Sequence, residues 1–336
     1  MRRLLLITTA LAALLLTVLA TGCGGDDSLT VYSGRNEALV GELFEQFEEE
    51  TGIEVDVRYG DSAELAATLA EEGGNSPADV FFAQDAGALG SVAEEGLLAE
   101  LAPDVLAKVD ERFRDPDGRW MGLSGRSRVV GYNTEVVPDE AELPDSIWDF
   151  TGEEWNGRVG FAPTNASFQA MVSAMRIAAG DERTRAWLEA LAANDPKLYE
   201  NNIQTLEAIA AGEVDVGFVN HYYLAGVLEE NPGAPVANHL LADGDPGSLV
   251  NVAGLGILAT AGDKSADARA LLDYLLADGQ TYFAEETDEY PLVEGYDAPP
   301  ELPPIDDIHG PDLSLGELGA QLESTLELLN EVGLTS

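Results

Sequence analysis

Short apolar runs of β type alternate with amphipathic helical segments along most of this chain. That alternation restricts the fold to an α/β architecture, because each strand must bury its faces under the helices that separate it from the next. Leu29-Thr30-Val31-Tyr32 reads as a strand and ends at Ser33-Gly34. A helix follows from Glu37, with Leu39, Val40, Leu43 and Phe47 at helical spacing, and Thr51-Gly52 stops it. Residues 53–57 alternate as a strand, 62–72 as a helix, 78–83 as a buried strand and 86–95 as a helix. Farther on, 125–132, 159–162, 214–219 and 254–259 read as strands. Helices are predicted over 168–179, 182–193, 205–211, from 221 onward, and over 266–277 and 314–332. Pro299, Pro300, Pro303 and Pro304 mark a loop before the last of these. The pattern predicts parallel pairing, and no internal repeat breaks it.

The chain has 336 residues, enough for two domains or one large one. Its 17 basic residues stand against 62 acidic ones, a formal charge of −45, so no basic footprint exists for DNA or RNA. With 45% hydrophobic residues it is not a disordered acidic tail. Only 3 of the 17 basic residues are Lys, a composition that suits a saline habitat or a GC-rich genome and bears on solubility rather than fold.

The N-terminus is built like a secretory leader: Met1-Arg2-Arg3, then an apolar run over 4–20. The run is slightly short for a membrane span of about 20 residues, and no later segment has 18 uninterrupted apolar residues. Cys23 is the only cysteine, so it has no internal disulfide partner. Ala20-Thr21-Gly22-Cys23 resembles a bacterial lipobox, with Ala20 where Leu is commoner. The resemblance implies removal of a signal peptide over 1–22, lipidation of Cys23, a lipidated tether over 23–28, and a mature protein held outside the cytoplasmic membrane.

Six strings occur in the order found in one family: Val31-Tyr32-Ser33-Gly34-Arg35; residues 76–82; Ser124-Gly125-Arg126-Ser127-Arg128 with Val130-Gly131-Tyr132-Asn133; Pro163-Thr164-Asn165-Ala166-Ser167-Phe168; Val219-Asn220-His221-Tyr222-Tyr223; and Glu289-Tyr290-Pro291-Leu292. Together they cover nearly all the mature chain and resemble the type II periplasmic binding proteins that carry ferric iron for ABC importers. The resemblance implies two α/β lobes joined by two crossing strands, with the ligand in a cleft between them. Lobe one would be 29–127 plus 255–305, and lobe two 128–254 plus 306–336. Partners would be an ABC permease and its ATPase, with the binding protein a monomer.

Ferric iron is a hard cation that takes oxygen donors. A phenol, with its ordinary pKa near 10, must lose its proton to ligate well. Adjacent residues on a continuous strand face opposite ways, but at a strand-to-helix junction Tyr222 and Tyr223 converge. In the family a Tyr before Asn supplies a third phenolate, which makes Tyr132 the third candidate ligand. Where relatives with His and Glu ligands place those residues, this chain has Asn36 and Gln84. What remains is similar to the variant with three Tyr and a synergistic anion such as carbonate. Arg35 and Arg126 are candidate anion donors, because guanidinium offers a planar fork of N–H groups. Thr164, Asn165 and Ala166 lie at a helix N-terminus that would add backbone donors. Asn202 and Asn220 match family positions facing the anion. Tyr32 and His221 read as structural.

No Gly-x-Ser-x-Gly context surrounds His221, His239 or His309, and there is no Walker A string or dinucleotide fingerprint, so the residues give no support for an enzyme. Acidic runs such as Glu48-Glu49-Glu50 lack the alternating pattern of an EF-hand. The rival is a binding protein of the same fold with another cargo. A phosphonate would reuse Arg35, Arg126 and the Thr164-Asn165 turn; a polyamine would need cleft carboxylates such as Asp85 and aromatic walls.

Overall fold

The computed structural model describes residues 28–299 and 302–335. The predicted leader over 1–22, the lipidation site Cys23 and the tether up to residue 27 lie outside the described residues. The first half alternates β1 (Leu29–Ser33), α1 (Glu37–Thr51), β2 (Val55–Tyr59), α2 (Ser62–Glu72), β3 (Val80–Ala83) and α3 (Ala86–Glu94). A single turn, α4 (Pro103–Leu106), leads into the long β4 (Trp120–Asn133). Next come β5 (Val159–Phe161), α5 (Ala166–Ala179), α6 (Asp181–Ala193), β6 (Lys197–Leu198), α7 (Asn202–Ala210), β7 (Val216–Asn220), α8 (Tyr223–Glu230) and β8 (Val236–His239). The chain returns along β9 (Val250–Ile257), then α9 (Ser265–Leu275), α10 (Asp278–Glu285), β10 (Tyr290–Pro291) and α11 (Glu317–Glu331).

The strands run in the order β2-β1-β3-β9-β4-β7-β5-β6, with β8 and β10 also on β4. Pairing is parallel among β1, β2 and β3 and among β5, β6 and β7, as the alternating pattern predicts. It is antiparallel wherever β4 or β9 takes part. The sheet is therefore mixed. The chain leaves the first half along β4 and comes back beside it along β9, and two such passages must run opposite ways.

Two main apolar cores lie along β4. Val31, Phe81, Phe82, Trp120, Leu123, Val252 and Leu272 belong to the first. Val130, Phe161, Phe168, Trp187 and Phe218 belong to the second. β4 is buried over all 14 residues and passes from one core to the other near Ser127 and Arg128. Leu249, Val250, Val252 and Ala253 join the first core. α11 reaches both: Leu318 packs in the first, Leu328 and Leu329 in the second.

The start of α11 lies backbone to backbone on α3. A Cβ at Gly90 would fall 2.4 Å from the Gly316 carbonyl oxygen, and one at Gly319 would fall 2.3 Å from that of Gly87. Farther along, Arg176 of α5 donates to Ser324 Oγ at 2.7 Å and Thr325 Oγ1 at 2.8 Å. One helix thus touches both sides of the groove that α3 and α5 border.

Candidate functional site

The tyrosine pair owes its geometry to the end of β7. That strand is fully buried through Asn220, which lies opposite Arg128 on β4. The extended backbone ends there, and Tyr222 already has helical angles (φ −68°, ψ −21°) as α8 begins. The turn cancels the strand alternation that would have split the pair. The two rings lie 4.2 Å apart, inclined at 39°. The two phenol rings therefore lie side by side. Burial pushes the Tyr222 phenol well above its ordinary range and the neighbouring Tyr223 adds to this, while Arg126 pulls the other way. Both protons cannot be lost cheaply without a cation to replace them.

His221 anchors this junction. Its backbone N–H donates to the Ser127 carbonyl at 3.1 Å. Its Nδ1 accepts from the Ser127 N–H at 3.1 Å, so the proton sits on Nε2, which donates to the Asp288 carbonyl at 3.0 Å. Asp288 carries a left-handed φ of 52°, uncommon for a residue other than glycine. Burial lowers the His221 pKa to about 4. Both ring nitrogens are engaged, and the residue is structural.

Arg128 is the group that the sequence reading passed over. It is 2% exposed and lies on β4 two residues beyond Arg126, hence on the same face. Its Nη1 donates to Ser167 Oγ at 2.9 Å, Asn220 Oδ1 at 3.0 Å and, more weakly, Asn202 Oδ1 at 3.5 Å. Its Nε and Nη2 are buried and meet no protein acceptor. Burial lowers its pKa to about 10, with the Tyr223 and Tyr222 phenols drawing it back up. The guanidinium and the phenols thus share one electrostatic environment.

Around this floor lies a cavity of about 540 Å³, lined from one side by α2 and α3 and from the other by α5 and the start of α11. Arg126, Arg128, Ala166, Ser167 and Asn220 line it, as do Gln84, Asp85 and Asn251. Burial pushes the Asp85 carboxyl up, against the Ala88 N–H that caps on it. Asn165 accepts from the Ser167 N–H as the N-cap of α5, and from Ser167 Oγ and Asn202 Nδ2. Asn165 and Asn202 therefore orient Ser167. Thr164 is exposed at the helix end and is not among the lining residues.

Two sequence expectations are corrected here. Tyr132 does not join Tyr222 and Tyr223: it pairs with Val216 and Ala237, four residues along β4 from Arg128, and packs in the second core. At about 3.4 Å per residue that is ~13 Å from the floor of the site. Burial and the nearby Glu140 raise its pKa. Arg35 is not free for an anion. It is 1% exposed and forms a two-pronged pair with Glu289, at 2.8 and 3.0 Å, and donates to Gln84 Oε1 at 3.0 Å. Burial alone would raise the Glu289 carboxyl, but Arg35 and Arg126 together hold it below its ordinary range. Arg126 also donates to the Gln84 carbonyl and keeps its place at the cavity wall. Tyr32 is structural as expected, its hydroxyl donating to Glu72 at 3.0 Å and accepting from Arg58 at 3.0 Å.

Among the described residues no cluster of three or more His, Cys, Asp or Glu could hold a metal. Tyr222 and Tyr223 are not among the residues lining this cavity; they stand beside its wall residue Asn220, and Arg128 there has no carboxylate partner. Residues 42–306 match the model of a family described as bacterial extracellular solute-binding protein. The chain belongs to that family. As a member of the solute-binding family it is 32% identical to an Fe(3+)-binding periplasmic protein of Serratia marcescens over 327 residues, 96% of this chain and 95% of the relative. The structure of iron-bound HitA from Pseudomonas aeruginosa superposes with a TM-score of 0.82 at 34% identity, covering 91% of this chain and 99% of that one. A Trichodesmium protein (IdiA, FutA) in complex with iron and citrate gives 0.81 at 27% identity, covering 92% and 100%. This solute-binding protein therefore has the two-lobe α/β fold of those structures, with β4 and β9 crossing between the lobes.

Proposed function

We propose that this solute-binding protein captures ferric iron outside the cytoplasmic membrane and delivers it to an ABC permease driven by a separate ATPase. The observation that carries the reading is the convergence of the Tyr222 and Tyr223 phenols at the end of β7. Fe³⁺ replaces their protons and relieves the repulsion that two phenolates would otherwise suffer. A synergistic anion such as carbonate completes the coordination. Arg128 and Arg126 supply its counter-charge, Ser167 and Asn220 its hydrogen bonds, and Asn165 and Asn202 hold Ser167 in place. Cargo bridging the two lobes favours a closed form. The protein works as a monomer, by binding, and catalyses no reaction.

Tyr223→Phe removes one donor oxygen and leaves the ring that packs on Tyr222. Iron affinity, measured by competition with a chelator, should fall at least about tenfold, or ~1.4 kcal/mol, with the thermal midpoint of the iron-free protein unchanged. Equal affinity in the two proteins removes Tyr223 from the ligand set. Anchoring rests on Cys23 in its lipobox-like setting: Cys23→Ser should move the protein from the membrane fraction to the soluble one. Retention in the membrane would mean that the uncleaved apolar run is the tether.

The second reading is a phosphonate or similar organic anion carried without iron, favoured by the Arg128, Ser167 and Asn220 cluster. It predicts tight binding of such an anion to metal-free protein.

A further inference from the structure

We infer that His221 is the positioning residue for the Tyr222 phenol, which it ties to the β10 segment across the point where β4 changes cores. The inference rests on the iron reading above and concerns how one of its ligands is held.

The first observation is how completely residue 221 is bound. Its N–H donates to the Ser127 carbonyl at 3.1 Å, and its carbonyl accepts from Asn238 Nδ2 at 2.9 Å. Its Nδ1 accepts from the Ser127 N–H at 3.1 Å, and its Nε2 donates to the Asp288 carbonyl at 3.0 Å. All four polar groups are used, with partners on β4, on β8 and just before β10. A side chain that only filled space here would be apolar, because a buried polar ring costs free energy until both nitrogens are satisfied.

The second observation is a ladder of four rings. Tyr290 lies 4.8 Å from His221, and His221 meets Tyr222 edge to face at 5.7 Å and 86°. Both separations lie in the attractive range for ring pairs. Tyr222 then lies 4.2 Å from Tyr223. The ladder starts in the first core, where Tyr290 is 1% exposed, and ends at the start of α8. With both nitrogens held, the imidazole cannot turn, and Tyr222 can rotate only by giving up its contact with it.

The third observation is place. β4 passes from one core to the other near Ser127, and Asp288 lies on the first-core side of that point. Asp288 takes a left-handed φ of 52°, which costs a residue other than glycine energy. Beside it, Glu289 is locked to Arg35 at 2.8 and 3.0 Å, and Tyr290 pairs with Gly125 of β4. The far end of the tie is therefore fixed. His221 touches no cargo and acts through Tyr222. A phenol already held at one angle has less freedom to lose when iron binds.

His221→Asn tests this, because its Oδ1 can still accept from the Ser127 N–H while its shorter side chain gives up the Asp288 carbonyl. Tyr290→Leu removes the first ring of the ladder and leaves the hydrogen-bonding groups of His221 in place, and Tyr290→Phe returns the ring. Each purified protein is titrated with ferric nitrilotriacetate in bicarbonate buffer. The visible phenolate-to-iron band is recorded at saturation, beside the thermal midpoint of the iron-free protein. Iron affinity should fall about tenfold in His221→Asn, the loss expected when one hydrogen bond and one ring contact that hold a ligand are removed. The saturated band should shift and weaken in His221→Asn and in Tyr290→Leu, and Tyr290→Phe should restore it. A residue that only supports the fold would lower the thermal midpoint and leave the saturated band where it is. An unmoved band in both His221→Asn and Tyr290→Leu overturns the inference and leaves the iron reading standing. If His221→Asn does not fold, the two Tyr290 variants decide alone. No band in the wild type removes the iron reading and the positioning role with it.

Discussion

At the residue scale, the proposed function rests on three side chains that neighbouring elements bring near one another. Tyr222 and Tyr223 are adjacent in sequence, and the break between β7 and α8 lets their rings lie together. Arg128 arrives from β4, in register with Asn220. The local string Asn220-His221-Tyr222-Tyr223 made the pair legible without a structure. Tyr132 was misread because its string, not its position along the strand, suggested a role. Arg35 was misread because its partner, Glu289, is 254 positions away, and no local pattern encodes a bond that distant. Arg128 was within reach, since alternation puts it on the face of Arg126. Arg128→Gln keeps a hydrogen-bonding side chain but removes the charge. It should weaken anion-supported iron binding by about 10–100-fold, the loss expected for a charge-assisted contact of roughly 1.5–3 kcal/mol, and should flatten the dependence on bicarbonate. Unchanged dependence on bicarbonate would place the anion elsewhere.

At the element scale, the first half was readable because α1, α2 and β2 have a more buried and a more exposed side, while β1 and β3 are short apolar runs bounded by turns. β4 was seen only over 125–132. Its remaining residues, Trp120 to Ser124 and Asn133, are buried, and the first five show no alternation to read. β8 and α10 escaped because Val236–His239 is only 4 residues long and Asp278–Glu285 carries a glycine and little apolar periodicity. The packing of α11 on α3 depends on glycines facing glycines, a tertiary fact with no helical signature. Gly90→Ala sets a methyl group against the Gly316 carbonyl. The expected cost is about 1–3 kcal/mol in denaturant unfolding, as for other overpacked contacts. Small-angle scattering should also show a wider spacing of the two lobes. Full stability in this variant would mean that the start of α11 is free to move.

At the scale of the whole molecule, the fold places its two cores on either side of a cleft and runs β4 and β9 across it. The residues that would hold cargo stand where those strands change cores. The charge of −45 sits mostly on acidic side chains outside the cleft and contributes solubility rather than specificity. Inside, Glu289 answers Arg35 and Arg126, and Arg128 meets only neutral side chains. With the proposed tyrosinate ligands, binding displaces the phenol protons, so iron affinity should rise with pH by up to about tenfold per unit for each phenol deprotonated, and fall in acid. The most direct measurement is a visible titration of the purified protein with ferric nitrilotriacetate, with and without bicarbonate, at neutral and acid pH. A broad phenolate-to-iron band saturating at one iron per chain, weakened by Tyr222→Phe and bleached by acid, is the predicted result. No band at any ratio of iron, with or without bicarbonate, would contradict tyrosinate capture of ferric iron.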